Sequence, residues 1–258
     1  MSVFQPLTQD DIHYANMALD YYHTCLKRNE RALDYLVRQR GLSENVIDAF
    51  GLGFADRTLY QQLGSDRYTQ ESVRGALQRF GLIATCGATN GREVLRGCIV
   101  FPIKDEFGHL TNAFGRKICD KLRKSSEVYV VANKADDSLF NGEILEKHKR
   151  IFLCSSPIEA LTLWSLGFEH VVSLLGMQCL SDEQARELCA NGVHTVDLLM
   201  ASTPKSSRCC HLIEQKLKMS GITVHKTLLP KGLDINACHQ NNCLLHNAIE
   251  QLSGSKES

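Results

Sequence analysis

Between residues 150 and 237 short apolar runs alternate with amphipathic stretches, and this alternation constrains the fold more than any other feature of the 258-residue chain. RIFLC (150–154) precedes PIEALTLWSLG (157–167), and HVVSLLG (170–176) precedes SDEQARELCANG (181–192), where Ser181 is placed to cap a helix. HTVDLLMA (194–201) precedes a helical stretch running through SRCCHLIEQKLKMSG (207–221), and ITVHKTLLP (222–230) closes the series. Repeated strand–helix units predict a mostly parallel sheet with helices on its faces. Ligand sites in such sheets gather at the carboxyl ends of the strands. Those ends fall at Ser155 and Ser156, at Leu175 and Gly176, at Ala201 to Thr203, and at Lys231 to Asp234. Ser155 and Ala201 are expected close together at one edge.

The preceding half reads differently. TQDDIHYANMALDYYHTCLKRN (8–29) has Thr8 and Asp10 as cap candidates, then Ile12, Ala15, Leu19, Tyr22 and Leu26 at near-helical spacing. ERALDYLVRQRG (30–41) predicts a second helix that Gly41 ends, and SENVIDAFGLGF (43–54) a short third one capped by Ser43. A fourth helix is expected over 70–80, ending at Gly81. REVLRGCIVFPIKDEFGHLTNAFGRKI (92–118) reads as two strands joined at Asp105, Glu106, Phe107 and Gly108, a hairpin signal. Arg116, Lys117, Lys121, Arg123 and Lys124 make the stretch that follows the most basic in the chain. It suits either a solvated loop or a surface that tracks phosphate oxygens. The expected division is 1–149, helices plus basic hairpin, and 150–258, the sheet domain with a C-terminal helical tail.

Formal net charge is zero, so any nucleic-acid contact must come from a local basic patch. No apolar run approaches the ~18 residues of a membrane helix, and MSVFQPLTQDD is no signal peptide. A cytoplasmic protein is expected. The 11 cysteines are scattered, several in apolar segments (Cys98, Cys154, Cys189), where a thiol serves as a small core residue. Disulfides are not expected in a reducing compartment. Cys209, Cys210 and His211 form one possible metal cluster, and Cys238, His239, Cys243 and His246 another; neither has the paired spacing of a zinc site, and both are read as ordinary residues.

The order of these features resembles the catalytic core of DnaG-type bacterial primases, most closely the primase-like proteins of plasmids and other mobile elements. ALDYLVRQRGLSENVIDAFGLGFADRTL is similar to that family's N-terminal helical subdomain, and LRGCIVFPIKDEFGHLTNAFGRKI to the segment that opens its nucleic-acid-binding side. The strand–helix block resembles the TOPRIM fold, and LPKGLDINA its closing segment. The similarity spans roughly residues 10–240. It implies an α/β protein in which a helical and β-hairpin N-terminal subdomain precedes a TOPRIM-like, mostly parallel sheet flanked by helices. The zinc-binding module that ordinarily precedes this core is expected to be missing.

The resemblance also implies what has changed. The family's strand-end Glu falls on Ser155, its next acid on Glu159, and its Asp-x-Asp pair on Ala201 and Thr203. Asp234 is retained, and its neighbour two residues on is Asn236. Basic positions carried over are Arg96, Lys104, Arg116, Lys117 and Lys231, to which the basic run adds Lys121 and Lys124. Magnesium prefers hard carboxylate oxygens, and electrostatic stabilisation of the kind bound metals supply is worth roughly 3–4 kcal/mol per lost donor. No metal or other cofactor is therefore expected, and magnesium only if acids have relocated. Three functions are consistent with this pattern. One is an inactive primase-like module binding single-stranded DNA or RNA, or a replication or recombination partner of the same element. The second is an active metal-dependent nucleotidyltransferase with relocated acids. The third is a protein–protein adaptor without nucleic-acid contact.

Overall fold

The computed structural model describes residues 6–63, 66–86, 89–118, 128–134, 137–176 and 179–241. Thr8 starts helix α1 (Gln9–Arg28) with a reciprocal cap. The Asp11 amide donates to Thr8 Oγ1 at 3.2 Å and the Thr8 amide donates to Asp11 Oδ2 at 2.9 Å. Asp11, not Asp10, is thus the acid that completes the cap, and it also receives Arg79 from α4 (Arg67–Phe80) in a bidentate ion pair, 2.7 Å at its shortest. The apolar face of α1 turns inward through Ala15, Leu19, Tyr22 and Leu26.

The second expected helix splits. Asn29 caps α2 (Glu30–Asp34), which loosens into a π-helical turn, Tyr35–Gln39, before Gly41 reverses the chain with φ +69°. Helix α3 (Glu44–Ala49) follows. Helix α4 starts three residues earlier than its apolar spacing predicts, because Asp66 caps it through the Thr69 amide at 2.9 Å. It ends as expected at Gly81, where φ is +97° and a Cβ would sit 2.3 Å from the Ala132 carbonyl oxygen. Only glycine fits there.

The chain forms two compact units. One comprises Met1–Tyr35, Ile47–Ile103 and Leu110–Asp136; the other Leu36–Val46, Lys104–His109 and Asp137–Ser258. The first unit holds a sheet in the order β1 (Gly53–Phe54), β4 (Cys98–Lys104), β5 (Leu110–Lys117), β6 (Tyr129–Val131), and a two-stranded ribbon of β2 (Ile83–Cys86) and β3 (Thr89–Glu93). The expected hairpin is β4–β5, and its turn is set by Asp105, whose Oδ1 accepts from the amides of Phe107 at 2.9 Å and His109 at 2.8 Å. The core of this unit packs Leu19 and Tyr22 against Leu77, Phe80, Leu82 and Val100. Glu93 is buried in it, its oxygens accepting from the Leu59 amide at 2.9 Å and the Tyr22 hydroxyl at 3.2 Å. Burial raises the Glu93 pKa despite these two donors.

The second unit is the strand–helix series read from the sequence. Strands β7 (Arg150–Cys154), β8 (Val171–Ser173), β9 (Thr195–Ser202) and β10 (Thr223–Lys231) form one sheet in the order β10-β9-β7-β8, with every pairing parallel. Helices α5 (Pro157–Ser165), α6 (Asp182–Ala190), α7 (Pro204–Met219) and α8 (Ile235–Gln240) connect or follow the strands. Ser181 caps α6 as expected, in a capping box with Gln184. Leu153, Val172, Val196, Leu198, Ile213 and Leu217 form the core between sheet and helices. Among the described residues no helix is long and apolar enough to cross a membrane.

Among the described residues, one acidic side chain is fully buried inside this sheet. Asp197 is fully buried within β9. It accepts Arg150 Nε at 2.7 Å and Nη2 at 3.2 Å from β7, and lies 3.2 Å from His225 Nδ1 on β10. A buried carboxylate stripped of its partner is costly, so Arg150→Ala is expected to lower the unfolding free energy by about 3–5 kcal/mol, read from urea denaturation. A loss no larger than that of an exposed control such as Arg186→Ala would show that the pair does not hold the strands.

Candidate functional site

The parallel strands deliver the ends of β7 and β9 to one edge. Leu153 pairs with Leu198, and continuing that register sets Ser155 beside Met200, next to Ala201. Ser155 and Ala201 therefore meet at neighbouring strand ends, as the alternation predicts. What stands there is mostly hydroxyl and methyl. Ser155 Oγ donates to Glu159, 2.8 Å from Oε1 and 2.9 Å from Oε2, and its amide donates to Oε2 at 3.0 Å. Glu159, in the first turn of α5, is almost wholly buried and folded back onto the serine before it. Thr203 caps α7: its Oγ1 accepts from the Ser206 amide at 3.1 Å and lies 2.8 Å from the Ser206 hydroxyl. Asp234 caps α8, accepting from the Ala237 amide at 2.7 Å.

Asn236 is the most constrained of these residues. It is buried, donates Nδ2 to the Arg40 carbonyl at 2.7 Å and to Thr162 Oγ1 at 2.9 Å, and accepts from Arg40 Nη1 at 3.3 Å. This lock was not legible in the sequence, since Arg40 lies 196 residues away. The carboxylate of Asp197 is committed to Arg150 and offers nothing to the edge.

These side chains do not fit a cluster of divalent cations. Such an ion needs several convergent oxygens, mostly anionic. Glu159 is held by Ser155, Asp234 is spent on a helix cap, Asn236 is a neutral amide, and Ala201 offers a methyl. Among the described residues no group of three or more His, Cys, Asp or Glu side chains is placed to hold a metal ion. Of the two cysteine–histidine clusters, Cys238 is buried in α8, while Cys243 and His246 lie outside the described residues.

The basic residues divide by position. Arg96 is exposed in the turn before β4, and Lys104 is exposed at the end of that strand. Arg116 in β5 pairs across to Tyr129, donates Nη1 to its hydroxyl at 2.7 Å, and lies 5.3 Å from its ring centre. Phe114 stacks on the same ring, with centroids 5.5 Å apart. Lys117 follows Arg116 directly, so the two leave the strand on opposite faces. Lys121 and Lys124 lie outside the described residues, and of Lys231 the backbone alone, at the end of β10, is described.

The fold has close counterparts. The Aquifex aeolicus primase, in a structure of its zinc-binding and RNA polymerase domains, superposes with a TM-score of 0.79 at 23% identity, over 94% of this chain and 61% of that one. A DnaG primase catalytic domain bound to single-stranded DNA gives 0.75 at 18%, over 94% and 78%. The RNA polymerase domain of the Mycobacterium tuberculosis primase in complex with double-stranded DNA gives 0.74 at 15%, over 94% and 80%. The fold is that of a DNA primase catalytic core. Residues 21–148 match the family described as the DNA primase catalytic core, N-terminal domain; the chain is a primase-like protein of the DnaG type. Among curated relatives, the DNA primase of Deinococcus radiodurans is 30% identical over 239 residues, 87% of this chain and 40% of the relative. That of Haemophilus influenzae is 26% identical over 171 residues, 63% of this chain and 28% of the relative. The chain thus spans less than half the length of these relatives.

Ser155 holds Glu159 through its hydroxyl. Ser155→Ala is expected to cost about 1–3 kcal/mol of stability in chemical denaturation, and Ser155→Thr, which keeps a hydroxyl, clearly less. Equal effects of the two changes would mean the hydroxyl contributes nothing.

Proposed function

We propose that this chain is a catalytically inactive primase-like protein, a TOPRIM pseudoenzyme that acts as a nucleic-acid-binding module in the replication or recombination of a plasmid or other mobile element. The observation that carries this reading is the chemistry of the strand ends. Where phosphoryl transfer needs metal ions to neutralise developing charge and orient oxygens, Ser155, Ala201 and Thr203 supply two hydroxyls and a methyl. The one buried acid beside them, Glu159, is already satisfied by Ser155. No cofactor is assigned.

Binding is supported by the primase cores of the same fold that hold single-stranded or double-stranded DNA. The proposed contact residues are Arg96, Lys104, Arg116, Lys117, Lys121, Lys124 and Lys231, with single-stranded DNA or RNA as the ligand. Arg116 beside Tyr129 offers a guanidinium and a ring of the kind that engage phosphates and bases. The protein would work in the cytoplasm.

An active enzyme using Glu159 and Asp234 is the weaker reading, because metal binding there would have to break the Ser155–Glu159 bonds and uncap α8. A protein adaptor without nucleic-acid contact is the other rival, favoured by the zero net charge.

A salt series on a labelled single-stranded oligonucleotide tests the proposal. Affinity should fall as salt rises, with a log–log slope of about −0.7 per phosphate contacted. Of Arg116→Ala and Lys117→Ala, made singly, the one on the contacting face should weaken binding across sequences and flatten the slope. Absence of wild-type binding at low salt favours the adaptor. Primer synthesis in magnesium or manganese that requires Glu159 and Asp234 would establish the active enzyme instead.

A further inference from the structure

Two thiols face each other on the surface of the sheet unit, one of them just ahead of α6 and the other on α7. Cys179 Sγ and Cys209 Sγ are 2.7 Å apart, about 0.7 Å more than the length of a disulfide bond. Both are carried as thiols; Cys179 is exposed and Cys209 half-buried in α7. The approach is held by other contacts. Lys216 Nζ, on α7, donates to the Leu180 carbonyl at 2.9 Å and pairs with Asp182 at 2.6 Å. Cys209 and Lys216 are two turns apart, so one face of α7 presents both to the segment that carries Cys179. Cys210, the next residue, packs against the core instead, and Cys189 donates to the Ser220 carbonyl at 3.5 Å.

We propose that Cys179 and Cys209 form a redox-active dithiol site whose substrate class is small hydroperoxides, and that their oxidation closes a staple between the α6 approach and α7. The exposed Cys179, as thiolate, attacks the terminal peroxide oxygen; the O–O bond breaks, the other oxygen leaves once protonated, as water from hydrogen peroxide or as an alcohol from an organic hydroperoxide, and Cys179 becomes a sulfenic acid. Cys209 sulfur then attacks Cys179 sulfur. The S–S bond forms, the S–O bond breaks, and the hydroxide released takes the Cys209 proton and leaves as water. Two thiols give up two electrons and the peroxide takes them. Burial, reinforced by Cys179 itself, pushes the Cys209 thiol up to about 12, so initiation falls to the exposed Cys179. The bridge would close a loop spanning 30 positions that contains α6, β9 and the Ala201–Thr203 turn, so oxidation would fasten the strand-end edge from both sides. This inference stands apart from the nucleic-acid reading.

The test uses the full chain, reduced and then exposed to stoichiometric hydrogen peroxide. Non-reducing peptide mapping should recover the 179- and 209-containing peptides as one linked species. Cys179→Ser and Cys209→Ser should each abolish it, while Cys210→Ser keeps it. Oxidised wild type should melt roughly 5 °C higher than reduced, a shift that dithiothreitol reverses and that Cys179→Ser lacks. Should Cys209→Ser fold poorly, Cys179→Ser, a change at an exposed position, carries the same comparison. Recovery of no 179–209 link, an equal yield of a link through Cys210, or an unchanged wild-type melting temperature would each overturn the proposal.

Discussion

A single carboxylate sealed inside the parallel sheet sets the conditions for everything at its edge. Asp197 on β9 faces Arg150 on β7 and His225 on β10, so one buried charge ties three of the four strands. The register this favours carries the ends of β7 and β9 to the same level. A slip of one residue would turn each side chain to the opposite face and break the ion pair. The turns that follow, each bonded to the first turn of its own helix, are therefore placed by a charge several residues away that is sealed from solvent.

At the edge the local chemistry has turned inward. Ser155 bonds Glu159, Thr203 bonds Ser206, Asp234 bonds the Ala237 amide, and Asn236 bonds Arg40 and Thr162. Each of these polar groups completes a helix start or an internal network. Such networks are stable because every member is satisfied. The described side chains of the edge thus hold one another in place through their own hydrogen bonds.

Much of this was legible in the sequence, and the parts that were not have a physical reason. RIFLC, HVVSLLG, HTVDLLMA and ITVHKTLLP all form strands, because each is an apolar run bounded by turn residues and followed by an amphipathic stretch. The Asp105–Gly108 turn and the Gly81 stop were legible because their chemistry is local. The ERALDYLVRQ stretch reads as one helix and becomes a helix plus a π-turn, since no residue in it signals the change. Strand β6 has three residues, too few for a period. Within the site, the serine and threonine positions could be placed by strand ends alone. The Arg40–Asn236 bond and the Cys179–Cys209 approach could not, because they join segments that only the folded chain brings together.

The Asn236 network has a directional consequence. Thr162 gives its one hydroxyl proton to the Ile158 carbonyl at 2.8 Å, so toward Asn236 it can only accept, and the Arg40 carbonyl can do nothing else. An aspartate at 236 would bring two lone-pair-bearing oxygens against two acceptors inside a buried pocket. Position 236 is therefore a one-way socket that reads donors and refuses acids: a carboxylate would fit only if the packing around Thr162 and the Arg40 backbone were rebuilt to receive it.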